Sequence, residues 1–336
     1  MAGLARRTPL LEAHDVSERI GAPVLVKAEC LQLTGSFKVR GAAARLAALT
    51  PEERARGVVA CSSGNHGRAV AYVAERLGVR ATVCVPEWVD PVKLAAIRAT
   101  GAEAVLAGAT FDEAEVHALD LAARDGRPYV SAYDDPWVIA GQGTIALEIL
   151  DELGEAPAAV LAPLSGGGLV GGIAAALAHR LGEDAPPVVA VSAERAAVML
   201  ASLRAGRPVE VPEEETLASA LAGGLGPANR YSFPLVRELV REHVTVTEEQ
   251  IAGAMRYAVR SLRLVVEGGG AVALAALLSG AWAGAGARSA TTAAAAAVAA
   301  GAVGGAGPIR AAGPVVVVLS GGNVAPGTLA SVLRSS

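Results

Sequence analysis

The sequence predicts an α/β protein with mostly parallel sheets covered by helices on both faces. Three observations carry this. Short apolar runs alternate with helical patterns over most of the chain, as repeated strand–helix units do. Hydrophobic residues make up 52% of the chain but aromatics only 3%, so Ala, Val, Leu and Gly dominate. That composition suits helices packed closely on a buried parallel sheet. Glycine-rich turns recur directly behind strands and read together as parts of one site. The 336 residues suffice for one large two-lobed domain or two ordinary ones.

Taken in order, residues 8–20 read as an N-terminal arm and a short helix. Residues 25–33 read as a strand running into Thr34-Gly35-Ser36-Phe37-Lys38-Val39-Arg40-Gly41-Ala42. Residues 38–49 have helical character, with Val39, Ala42, Ala43 and Leu46 on one face. Thr50-Pro51-Glu52-Glu53 supplies an N-cap, a proline at the first helical position and acids in the first turn, so a helix starts there. An apolar strand at 57–61 leads into Ser62-Ser63-Gly64-Asn65-His66-Gly67 and a helix at 68–77 that Gly78 stops. Strands at 81–85, 104–106 and 129–132 alternate with helices at 91–100 and 111–125. Ile139-Ala140-Gly141-Gln142-Gly143-Thr144 reads as a glycine-bounded joint before a helix at 145–153, and a lobe boundary is expected there. A second series follows: a strand at 159–163, the turn Ser165-Gly166-Gly167-Gly168, a helix at 169–181 and a strand at 188–192. Glycine-rich junctions come at 223–226 and 268–270, and a last strand at 315–319 opens into Ser320-Gly321-Gly322-Asn323. Residues 280–313 are almost entirely Ala and Gly and read as a poorly packed, flexible surface insert.

Composition also excludes functions. The net charge is −4, with no basic run to recruit nucleic acid or an anionic membrane. Residues 268–287 and 289–309 are uncharged, but Ala and Gly contribute little insertion energy, so no membrane span is expected. Cys30, Cys61 and Cys84 lack C-x-x-C spacing and fit the reduced thiols of a cytosolic protein. Residues 1–7 lack an apolar core, so no signal peptide is expected.

The chemistry centres on Lys38. A lysine becomes a nucleophile when it is partly desolvated or lies near another cation, since both lower its pKa. Phe37 and Val39 could supply apolar walls and Arg40 the positive neighbour. Such an amine suits a Schiff base with a carbonyl, including the aldehyde of pyridoxal phosphate. The Ser165 turn follows a strand and opens a helix, a geometry that holds a phosphate. It also satisfies G-x-G-x-x-G as Gly166, Gly168 and Gly171, with Glu194 ending the next strand. A nicotinamide-binding Rossmann oxidoreductase is therefore the rival, although it leaves Lys38 and the Ser62 turn unexplained. The Ser62 turn offers hydroxyls, a carboxamide and N–H groups at a positive helix end, suited to a carboxylate. His66 alone reads more readily as a helix-start histidine bonded to backbone than as a catalytic one, and Ser320 can be read as a turn residue and Glu267 as a solvated helix-end charge.

The five motifs at Lys38, Ser62, Gly141, Ser165 and Ser320, in that order, resemble the serine/threonine dehydratase and serine racemase branch of the fold-type II pyridoxal-phosphate enzymes. The similarity spans nearly the whole chain apart from the Ala/Gly-rich insert. The stretch 218–233 looks somewhat like the hydroxyectoine-utilisation dehydratases. The resemblance implies two three-layer α/β lobes with the cofactor in the cleft between them. The large lobe would comprise 1–47 and 142–336, and the small mobile lobe 48–141.

It also implies roles. Lys38 would hold the cofactor aldehyde and act as base, and Phe37 would pack beside the ring. Asn65 would bond the phenolic oxygen, Ser165, Gly166, Gly167, Gly168 and Leu169 would cradle the phosphate, and Ser320 would bond the pyridine nitrogen. Ser62, Ser63, Gly64 and His66 would surround the substrate carboxylate, with Ser63 on the face opposite Lys38. The implied reaction is β-elimination from a β-hydroxy α-amino acid, with racemisation or β-replacement as alternatives. A cytoplasmic homodimer with a small amino-acid substrate is the expected setting. Two departures matter. Val198, Met199 and Leu200 stand where metal-responsive relatives carry a second acid after the one near Glu194, so no divalent cation site is expected. Gly268-Gly269-Gly270 replaces a Pro- or Ser/Thr-containing turn, which leaves the accepted side chain open.

Overall fold

A computed structural model describes residues 3–226, 229–282 and 313–335. Most of the expected Ala/Gly-rich insert, from 283 to 312, lies outside the described residues. Among the described residues the strands are β1 (Leu10–Glu12), β2 (Val24–Lys27), β3 (Val58–Cys61), β4 (Ala81–Val85), β5 (Glu103–Leu106), β6 (Ala159–Pro163), β7 (Val188–Ala193), β8 (Glu242–Val246) and β9 (Val315–Val318). They form two sheets. The larger runs β1-β2-β9-β6-β7-β8 and the smaller β3-β4-β5. Every pairing is parallel except β1 with β2.

Sequence explains the layering. Every residue of β6, β7 and β9 is buried, so these strands are continuous Val, Ala and Leu runs rather than alternating ones. The helix Gly268–Leu278 has no polar face and is buried almost throughout, as a helix inside the core must be. The topology then sets the site. Because β2, β9 and β6 are neighbours running the same way, the Lys38 loop, the Ser320 turn and the Ser165 turn leave the sheet side by side. Ligands bind parallel α/β sheets at these carboxyl ends. The Ser62 turn leaves the carboxyl end of β3 in the smaller sheet.

Several expected elements change. The strand expected at 25–33 ends at Lys27, and a 3-10 turn, Glu29–Leu31, aims the buried Glu29 carboxylate at Arg40. The helix expected at 68 starts at Asn65, which brings Asn65 and His66 into its first turn. The strand expected at 129–132 is reduced to one bridge between Val59 and Tyr129. The Ser131 hydroxyl accepts from the Tyr133 and Asp134 N–H groups and turns the chain away. The joint expected at 139–144 is absent, because one helix, Pro136–Leu153, runs through it. Its glycines serve close approach instead. A Cβ at Gly141 would lie 2.4 Å from the Arg40 carbonyl oxygen, and one at Gly143 2.7 Å from that of Gly172. The helix at Thr50 forms as expected, with a complete capping box to Glu53.

A buried ion cluster ties these parts together. The Arg40 guanidinium donates to both Glu29 oxygens at 2.7 and 2.8 Å and to both Glu148 oxygens at 2.6 and 2.8 Å. Lys27 Nζ donates to Glu148 at 2.7 Å and to the Thr8 carbonyl at 2.6 Å. Lys27, Glu29 and Arg40 are essentially inaccessible to solvent. Arg40→Met should therefore destabilise the fold by about 3–5 kcal/mol, because it strands a buried carboxylate. The exposed Arg7, which faces Asp151 and Glu152, is the control: Arg7→Met should cost less than about 1 kcal/mol. Urea unfolding of the two variants checks the difference.

Candidate active site

Lys38 opens the helix Lys38–Ala47, and the main chain fixes where it does so. The Phe37 N–H donates to the Ser320 carbonyl at 3.0 Å, the Gly322 N–H donates to the Gly35 carbonyl at 2.8 Å, and Ser36 bridges Gly321. Gly35 has φ +77°, and a Cβ there would meet Asn323 Oδ1 at 2.4 Å, so glycine is required. The Lys38 amine donates to the Ala132 carbonyl at 2.7 Å and sits 5.1 Å from the Phe37 ring centre. Burial pulls its pKa down to about 8, with Glu267 opposing the shift. The expected desolvated lysine is thus present, but Arg40 points away into its carboxylate cluster and is not the cause.

The Ser62 turn docks against this loop. Ser62 Oγ accepts from the Gly64 N–H at 3.1 Å, and Ser63 is half-buried without a side-chain hydrogen bond among the described residues. His66 Nε2 lies 2.7 Å from the Val130 carbonyl, so that nitrogen carries the proton. Its Nδ1 is buried without a hydrogen-bond partner among the described residues. Burial first, and the Lys38 charge second, push His66 down to about 3, so the ring is neutral at physiological pH. Asn65 Nδ2 donates to Glu267 Oε1 at 2.6 Å, and Asn65 Oδ1 accepts from Asn323 Nδ2 at 2.6 Å. Glu267 is therefore not the solvated helix-end charge expected: its carboxylate is part-buried and holds Asn65. Nothing in its local sequence signals this, because its partner lies 202 residues away.

The Ser165 turn completes the group. Gly167 has φ +86°, and the helix Gly168–Leu181 starts behind it. A Cβ at Gly166 would lie 2.3 Å from the Tyr133 ring, and one at Gly168 2.8 Å from the Tyr133 carbonyl oxygen. Side chains are thus barred from a main-chain cradle at the positive end of a 14-residue helix. Ser165 Oγ is held by the Leu221 carbonyl at 2.9 Å, and Leu169 is buried. The Ser320 side chain is buried and has no hydrogen-bond partner among the described residues. Pyridoxal phosphate needs an amine that can be neutral, a phosphate cradle, a hydroxyl for its ring nitrogen and an N–H for its phenolic oxygen. Lys38, the 165–169 turn, Ser320 and Asn65 are that set.

His66 predicts an acid response. An unfolded histidine takes a proton near 6.5, whereas the native one stays neutral down to about 3. Its contribution to stability is complete above pH 6.5 and declines as the pH falls toward 3. His66→Gln should flatten the dependence of the urea midpoint on pH across that window, measured against the unaltered protein.

Comparisons agree with this geometry. The family model described as "Pyridoxal-phosphate dependent enzyme" matches residues 1–291. An L-threonine ammonia-lyase of Geobacter sulfurreducens is 45% identical over 276 residues, 82% of this chain and 67% of that protein. The processed threonine deaminase isoform 2 of Solanum lycopersicum superposes with a TM-score of 0.84 at 33% identity, covering 98% of this chain and 83% of that one. Maize serine racemase gives a TM-score of 0.82 at 29% identity, covering 98% and 93%. The rival dinucleotide assignment of Gly166, Gly168 and Gly171 is thereby displaced. The architecture is that of the fold-type II enzymes, and the chain belongs to the family of pyridoxal-phosphate dependent enzymes.

Proposed function

We propose that this chain is a threonine or serine ammonia-lyase, which eliminates water from a β-hydroxy α-amino acid and releases an oxo acid and ammonia. The observation that carries it is the half-buried Lys38, whose amine meets the Ala132 carbonyl and is desolvated where the Ser320 and Ser62 turns converge. The 45% identical relative is named an L-threonine ammonia-lyase, which supports the same substrate class.

When bound, the cofactor supplies an aldehyde for the substrate amine and a conjugated ring that accepts the electron pair left at Cα. Lys38 Nζ takes the Cα proton, and its lowered pKa gives it a useful neutral fraction at physiological pH. The β-hydroxyl departs as water, its Cβ–O bond breaking as it takes up one proton, which balances the proton that Lys38 removed from Cα. Ser62, Ser63 and Gly64 hold the substrate carboxylate at the start of the helix Asn65–Leu77. His66 contributes there through its main-chain N–H, since the neutral Nδ1 offers a lone pair and no proton. Residues 165–169 would hold the phosphate, Phe37 would flank the ring, Asn65 would donate to the phenolic oxygen and Ser320 would bond the ring nitrogen. In the likeness to serine racemase there is a second outcome at the same site, in which Ser63 returns a proton on the face opposite Lys38. Residues 48–141 form the mobile small lobe against 1–47 and 142–336, joined on through the unbroken helix Pro136–Leu153 rather than through a flexible joint, and the enzyme works as a cytoplasmic homodimer. No helix among the described residues is long and apolar enough to cross a membrane.

The holoenzyme, tested on L- and D-threonine and serine, should release oxo acid from one of them, and Lys38→Ala should lower that rate about 1,000-fold or more. An intact visible cofactor band with no oxo acid from any of the four would overturn the lyase assignment, and altered substrate chirality would favour racemisation. A pH test is independent of turnover. The cofactor-free protein should acquire the visible band faster as pH rises, levelling off above about 8 as the Lys38 amine becomes neutral. A solvated lysine would keep accelerating past pH 10.

A further inference from the structure

Four polar side chains cross the cleft in a single line. Arg68 Nη1 donates to Asn323 Oδ1 at 3.0 Å. Asn323 Nδ2 donates to Asn65 Oδ1 at 2.6 Å and to the Thr34 carbonyl at 2.9 Å. Asn65 Nδ2 donates to Glu267 Oε1 at 2.6 Å. Arg68 and Asn65 belong to the helix behind β3, whereas Thr34, Glu267 and Asn323 belong to loops beside the larger sheet.

The ends of this line are chemically unequal. A guanidinium only donates and stays charged, and a carboxylate only accepts. A carboxamide between them can lie either way round, and its neighbours decide which. With Arg68 and the Thr34 carbonyl fixed, a reversed Asn323 would set N–H against N–H and oxygen against oxygen. With Asn323 fixed, a reversed Asn65 would point its oxygen at the Glu267 carboxylate and its NH2 at the Asn323 NH2. Only one arrangement satisfies every atom. It points the Asn65 NH2 at Glu267, with one proton on that carboxylate and one to spare.

We infer that Arg68 and Asn323 are positioning residues, which act through Asn65 to present that spare N–H to the cofactor's phenolic oxygen. The inference rests on the role proposed above for Asn65. Three positions make the line work: Arg68 as the donor-only end, Asn323 as the relay, and Gly35, where any side chain would strike Asn323 Oδ1.

The test uses Asn323→Asp, which keeps shape and the Arg68 contact but puts an oxygen where the NH2 stood. Two quantities are measured on the holoprotein: cofactor affinity, and the pH at which the visible cofactor band changes. Asn323→Asp should weaken cofactor binding about tenfold or more and shift that pH. In an Asn65→Ala background the same substitution should change neither quantity further, because its route is gone. A purely structural Asn323 would act equally in both backgrounds, and that result would overturn the proposal, as would a folded Asn323→Asp protein with unaltered affinity and band. Should Asn323→Asp fail to fold, Arg68→Met removes the donor-only end and is read against the same expectations. Asn65→Ala alone separates the two levels. If it leaves the band and affinity unchanged, the role of Asn65 itself fails. If it changes them but Asn323→Asp and Arg68→Met do not, only the relay fails.

Discussion

The site depends on one guanidinium that never meets substrate. Arg40 lies two residues beyond Lys38, is buried, and engages both oxygens of Glu29 and of Glu148. Glu29 follows β2, Glu148 belongs to the helix Pro136–Leu153, and Lys27 at the end of β2 closes the cluster onto Glu148. Charges removed from water are tolerated only when each is matched, so the cluster accepts few geometries. Strand, turn and two helices must meet in one arrangement, and Lys38 is carried on the first turn of a helix held that way. The ladder from Phe37 and Gly35 to the Ser320 turn then determines which way the amine faces.

Burial has opposite consequences at neighbouring residues. Arg40 keeps its charge because two carboxylates surround it. At Lys38 desolvation outweighs the opposing charge of Glu267, and at His66 it is the leading cause, so both favour their neutral forms. Neutrality gives each a different capability. Lys38 gains a lone pair that can take a proton or attack an aldehyde. His66 gives up acid–base chemistry near pH 7 and becomes a spacer pinned to the Val130 carbonyl.

Much of this was legible in the sequence, and the remainder failed for identifiable reasons. The N-cap at Thr50, the C-cap at Gly78 and the glycine turn at Ser165 are local signals, and they held. The five motifs pointed to the family. Distances across the fold left no local trace: Glu267 meets Asn65 202 residues away, and Asn323 meets Thr34 289 residues away. Gly141 and Gly143 misled because a glycine that permits a turn and a glycine that permits contact look alike in sequence. The Ala-Gly-Gln-Gly-Thr stretch was expected to be a joint and is the middle of a helix. Strand 25–33 was overlong for a related reason, since an apolar run carries no mark of where a buried ion cluster will bend it.

Those glycines have a mechanical consequence. The lysine helix touches the helix Pro136–Leu153 at Gly41 and Gly141, and that helix touches Gly168–Leu181 at Gly143 and Gly172, with main chain approaching main chain at each crossing. At Gly41 the Gln142 and Val138 side chains also press against the crossing, while at Gly141 and Gly172 the nearest atoms are main chain. The spacing between the main chain at Lys38 and the Ser165 turn is therefore gauged largely by backbone contacts, like a span between two fixed piers. Changes in side chains elsewhere in the cleft can alter which substrate fits without stretching that span.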